Sequence, residues 1–225
     1  MRVKGQIHHR DSLGTDMILH PGNVLLMTSG EGIVHSERTP QALRAQAHDL
    51  QLLQFWLALP QAQEQMAPEV KHTAVENLPV LTPAEGLRGL LAVGHFAGQT
   101  SPITTYGDPL FVDLTASQNG HWTLDTRQGE HALFVLSSQL HIAGQPFNAP
   151  AFVCLPQQAE LAVDFTAGSQ FFLLGGPPLD GPRTLWWNLV ASRPELIEAA
   201  KQRWRDGGFA TVPGDDSEFI PLPEN

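Results

Sequence analysis

The sequence predicts an all-β fold of short strands, and three features point to it. Its 225 residues include 20 glycines and 18 prolines, which cut the chain into short apolar runs. Charged residues make up only 16%, too few for a set of long solvated helices. Hydrophobic residues make up 42%, enough to bury a real core.

Taken in order, the elements support this. Gly5 to His9 reads as a strand, closed by the turn signal Asp11-Ser12-Leu13-Gly14. Met17-Ile18-Leu19 follows, then the turn His20-Pro21-Gly22-Asn23, then the apolar run Val24 to Met27. Ser29-Gly30-Glu31-Gly32 bends the chain before the strand Ile33-Val34-His35-Ser36-Glu37. Asp49 to Leu59 is expected as a longer strand, stopped by Pro60. This string of short strands over residues 1–60 is the pattern of an antiparallel sandwich or barrel. Pro60, Pro68, Pro79 and Pro83 mark 61–86 as a linker. A second strand-rich block is expected over 87–178, with strands at Leu110–Leu114, Ala132–Val135, Leu140–Ile142, Phe152–Leu155, Leu161–Phe165 and Phe171–Leu174. The order of elements around Gln6-Ile7-His8-His9 and Gln139-Leu140-His141-Ile142 is similar, as a duplication would leave it. Residues 179–225 hold a helix after the capping box Ser192-Arg193-Pro194-Glu195, ended by Gly207-Gly208, and then an acidic, Pro-rich tail expected either to pack as an extended strap or to fray.

Composition also excludes whole classes. Thirteen basic against 23 acidic residues give a net charge of −10, which phosphate backbones and anionic lipids repel, so neither nucleic acid nor a membrane is expected as a partner. The lone Cys154 cannot pair within the chain, and it is expected to be a core thiol. The start, Met1-Arg2-Val3-Lys4-Gly5-Gln6, has no apolar leader, and the expected compartment is the cytoplasm.

His35 and Glu37 are the sharpest chemical pair. Positions i and i+2 of a strand share a face, so an imidazole and a carboxylate look the same way. The pair is either half of a His-plus-carboxylate metal site or a partly buried polar pair near a strand end. His8 and His9 are neighbours, so at most one of them faces inward, and these two with His20 are expected at the surface or rim. His48, His72, His95 and His121 have no partner pattern, and Glu130-His131 with His141 makes no metal set. Trp186, Trp187 and Trp204 are expected as packing residues.

The run Pro21-Gly22-Asn23-Val24, then Met27-Thr28-Ser29-Gly30-Glu31-Gly32-Ile33-Val34-His35-Ser36-Glu37-Arg38-Thr39-Pro40, closely resembles the signature of the pirin family, in the cupin superfamily. Gly5 to Gly14, Leu52 to Pro60, Met66-Ala67-Pro68, Trp186 to Arg193, and the tail from Phe209 through Pro213-Gly214-Asp215 to Glu224 extend the resemblance over essentially the whole chain. It implies a bicupin, two β-barrels face to face, with a C-terminal helix packed back on the body. It also implies one divalent metal, usually iron, held in the first barrel by a His-x-His pair and by the positions of His35 and Glu37. The sequence contains no His-x-His pair, and by position that pair would precede Met1. The expectation is therefore a first barrel without its opening strands, an incomplete metal site, and self-association through the exposed barrel edge. The implied activity is a metal-dependent, quercetin-type (flavonol) dioxygenase acting on a small aromatic substrate, with Glu37 also taking the substrate proton. The alternative implied by the family is a non-catalytic metal-binding or regulatory module that binds a protein partner.

Overall fold

Two compact units make up the chain in a computed structural model that describes residues 4–223. Met1, Arg2 and Val3 of the opening and Glu224 of the tail lie outside the described residues. One unit takes residues 1–75 and 179–225, and the other takes 76–178. The all-β expectation is met, with a single α-helix among the described residues.

The first unit opens with β1 (Ile7–Asp11), β2 (Asp16–Leu19), β3 (Val24–Thr28) and β4 (His35–Arg38), and β5 (Glu69–Thr73) follows. Strand β1 lies between β2 and β4, antiparallel to both. Its turn into β2 is built by one side chain. Asp11 Oδ1 accepts the N–H groups of Leu13 (2.9 Å) and Thr15 (3.1 Å), while Gly14 takes φ +88°. Ile7, His9 and Asp11 alternate as buried residues along β1, the period-2 pattern of a half-covered strand.

Here the structure differs from the expected boundaries. The 61–86 stretch is not a structureless linker, because β5 and β6 lie in it. Strand β5 pairs with β3 from Val24↔Thr73 to Thr28↔Glu69, so chain beyond residue 60 completes the first unit. The expected strand at 49–59 is absent. Its ladder contact among the described residues is an isolated bridge, Lys4↔Gln51.

The second unit contains β6 (Val80–Ala84), β7 (Leu87–Val93), β8 (His95–Phe96), β9 (Gln99–Thr100), β10 (Leu110–Ala116), β11 (Gly120–Leu124), β12 (Glu130–Ser137), β13 (Gln139–Ile142), β14 (Gln145–Asn148), β15 (Ala151–Cys154), β16 (Leu161–Phe165) and β17 (Gln170–Gly176). A six-stranded sheet, β15-β12-β17-β10-β7-β6, and a four-stranded sheet, β11-β16-β13-β14, share one core. Leu91, Val112, Leu133, Leu161, Val163 and Leu173 are all fully buried in it. Pro83 and Pro146 sit in the edge strands β6 and β14, where a missing N–H breaks no interior ladder. Cys154 is exposed instead of lying in the core. It sits on edge strand β15, and its side of the strand, shared with Phe152, faces away from the packed interior.

The chain then re-enters the first unit through the hairpin β18 (Thr184–Trp186) and β19 (Leu189–Ala191) and the helix α1 (Pro194–Arg205). The helix falls where its sequence places it, with Pro194 in its first turn, but the capping box does not form. The N-cap is Arg193, without a side-chain cap bond. Ser192 instead turns to Glu64, which accepts its N–H at 2.8 Å and its hydroxyl at 2.7 Å. Trp187 packs edge-on against Trp186 and Trp204, as expected of packing residues. The tail returns as a strap. Trp204 Nε1 donates to Ile220 O, and Arg38 Nε and Nη2 donate to Asp215 at 2.8 and 3.0 Å.

Candidate metal centre

The pairing of β1 with β4 decides which side chains meet. His9 lies opposite Glu37, and Asp11 lies opposite His35. Directly opposed residues share a face, as do positions i and i+2, so these four side chains occupy one side of the sheet. His9, His35 and Glu37 each offer a ligand atom, and these atoms all lie within 4.8 Å of one another. The two imidazole rings are 5.6 Å apart, tilted at 53°. His35 and Glu37 thus look the same way, as their spacing predicts.

His9 is the residue the sequence reading placed at the rim, and the structure buries it completely. Its neighbour His8 faces the other side and donates to Asp16 at 2.6 Å. Which of two adjacent histidines turns inward depends on the register with β2 and β4. The available signal was a mirrored pattern, His9-x-Asp11 against His35-x-Glu37. His20 lies in its turn at the surface, within 3.2 Å of Gln6 Nε2. His131 is partly buried in the second unit, without a metal-ligand group around it among the described residues.

The electrostatics favour a neutral His35 imidazole near an ionised Asp11. Burial pushes the His35 imidazole below its ordinary value, and the nearby Glu37 carboxylate only partly offsets this. One of its two ring nitrogens therefore keeps a proton-free lone pair near neutral pH. Burial alone would raise Asp11. Hydrogen bonds from the Thr15 side chain, from His9, and from the N–H groups of Thr15 and Leu13 outweigh that effect and hold the carboxyl below the usual carboxylate range. The Nδ1 atoms of His9 and His35 are both buried and have no hydrogen-bond partner among the described residues. A buried, unsatisfied ring nitrogen is costly unless something else occupies its lone pair.

Two imidazoles and one carboxylate suit a divalent metal of the non-haem iron kind, and the residues present fit such an ion. Glu37 is exposed, so the face is open to solvent on its side. A cleft of about 640 Å³ lies elsewhere in this unit. It is lined by His8, Arg10, Arg38 and Arg44 with Asp215 and Glu218, on the opposite face of β1 and β4. No helix among the described residues is long and apolar enough to cross a membrane.

Comparison with known proteins agrees with this architecture. The family description "Pirin" matches residues 1–57, and "Pirin C-terminal cupin domain" matches residues 111–210. A pirin-like protein of Caulobacter vibrioides is 31% identical over 222 residues, covering 98% of this chain and 76% of that protein. The crystal structure of a quercetin 2,3-dioxygenase from Acinetobacter baumannii superposes with a TM-score of 0.87 at 29% identity, covering 99% of this chain and 73% of that one. The bacterial pirin YhhW of Escherichia coli, solved in complex with nickel(II), gives a TM-score of 0.62 at 18% identity over 79% of this chain and 71% of that one. The all-β bicupin fold is therefore shown, and the chain belongs to the pirin family.

Proposed function

We propose that this protein is a metal-dependent dioxygenase of the quercetin type, acting on a small flavonol-like aromatic, with His35 and Glu37 among the ligands of one divalent metal, iron by preference. One observation carries the reading. Ligand atoms from His9, His35 and Glu37 converge within 4.8 Å, with two buried ring nitrogens left unpartnered. The structural likeness to an Acinetobacter baumannii quercetin 2,3-dioxygenase supports the substrate class.

A metal bound there supplies Lewis-acid polarisation of substrate oxygens. The chain's own residues do the rest. His35, held neutral by burial, keeps a lone pair available for a ligand bond. Glu37 is the exposed member of the group, so it is the residue positioned to meet an incoming phenolic hydroxyl and take its proton.

The test is elemental analysis of protein purified without chelator, followed by oxygen uptake with quercetin. Near-stoichiometric metal with turnover that a chelator abolishes is the expected result. Metal without turnover on any flavonol would support the non-catalytic binding module instead. Failure to take up metal under any loading condition would end the reading.

A further inference from the structure

We infer that His9 is a third metal ligand, binding through Nδ1, and that Asp11 is the positioning residue that makes it one. The inference rests on the metal-site reading above and extends it to two residues outside the His35–Glu37 pair.

The geometry fixes the tautomer. His9 Nε2 lies 3.0 Å from Asp11 Oδ2, and both side chains are essentially fully buried. An ionised carboxylate only accepts, so the proton of that bond sits on Nε2. In a neutral imidazole the other nitrogen, Nδ1, then carries the bare lone pair. That atom is buried and has no hydrogen-bond partner among the described residues, His9 is paired with Glu37 across β1 and β4, and its ring centroid lies 5.6 Å from that of His35. A histidine whose second nitrogen donates to a carboxylate is the usual arrangement of a metal-bound imidazole. Asp11 is itself locked. Its other oxygen accepts the N–H groups of Leu13 and Thr15, so it cannot rotate away without breaking the β1–β2 turn.

Asp11→Asn is the decisive change. The amide oxygen can still accept the two turn N–H groups, but the amide nitrogen must now donate to His9. Nε2 becomes the acceptor, the proton moves to Nδ1, and the ligand lone pair is lost. The full-length chain would be titrated with cobalt(II) by visible absorbance and loaded with copper(II) for pulsed EPR, which counts bound imidazoles. Wild type should show two imidazoles, and His9→Gln one. Asp11→Asn should bind cobalt about 10- to 100-fold more weakly, the range for loss of an outer partner. Nitrogen-15 NMR of the metal-free wild type should show His9 as the Nε2–H tautomer, a readout that needs no variant to fold.

If His9→Gln keeps two imidazoles and wild-type cobalt affinity while His35→Gln loses it, His9 is not a ligand and the metal-site reading survives. If neither His35→Gln nor Glu37→Gln weakens binding, that reading itself falls. A His9 ring protonated on Nδ1 in the metal-free protein would overturn the inference outright.

Discussion

Burial of His131 makes the second unit sensitive to acid. Desolvation pulls its imidazole below the ordinary value, and the nearby Asp125 offsets this only in part. The folded state therefore prefers the neutral ring, while the unfolded chain takes up a proton near pH 6.5. Stability is fully present above that pH and is lost as pH falls through the lower, folded value. A melting-temperature series from pH 8 to 5 should show this decline, and His131→Asn should flatten it. Gly175 adds a steric prediction. A Cβ there would lie 2.6 Å from the His131 ring and 3.1 Å from Glu130 O, so Gly175→Ala should cost about 1–3 kcal/mol by urea titration. At this scale the sequence was half legible. The spacing of His35 and Glu37 was enough to put them on one face. The choice of His9 over His8 needed the pairing His9↔Glu37, which joins residues 28 positions apart.

Helix α1 is attached to the first unit through a buried ionic joint. Arg183 and Glu64 have side chains only 6% and 9% exposed, 2.8 Å apart, and Glu64 also accepts from Ser192 just before the helix. Arg183 also holds Asp180 at 2.6 Å, so removing Glu64 takes away one of its two carboxylate partners. Glu64→Ala, which loses the bonds to Arg183 and Ser192, should cost about 1.5–3 kcal/mol, read from urea midpoints. The helix itself was legible from Pro194, the spacing of Leu196, Ile197, Ala200 and Trp204, and the Gly207-Gly208 stop. Its anchor was not, because Glu64 lies 128 positions before Ser192. The same limit explains 49–59 and β5. Apolar content suggested a strand in the first, and prolines hid one in the second, yet a strand exists only where a partner edge receives it.

Across the whole molecule, the two units should respond separately to changes in their interiors. Leu133 is fully buried in the second unit, and Leu133→Ala should cost about 2–5 kcal/mol while leaving metal stoichiometry unchanged, since the ligand candidates all lie in the first. In the first unit, the Arg38 guanidinium beside Asp215 lowers that carboxyl to about 2. The stabilisation is present above the ordinary aspartate value and is lost as pH falls toward 2. Asp215→Asn should therefore remove part of the acid sensitivity between about pH 4 and 2, measured by tryptophan fluorescence. The division into 1–60, 61–86 and 87–178 was only partly legible, since the first unit is assembled from chain on both sides of the second. That assembly has a practical side. The Phe209 ring rests where a Cβ on Gly32 would fall, Arg203 Nη1 donates to Glu31 O, and Asp215 grips Arg38 just past Glu37. A protease nick after the helix would thus free the Phe209 and Asp215 parts of this clasp, and metal affinity at the proposed site should fall with every candidate ligand still in place.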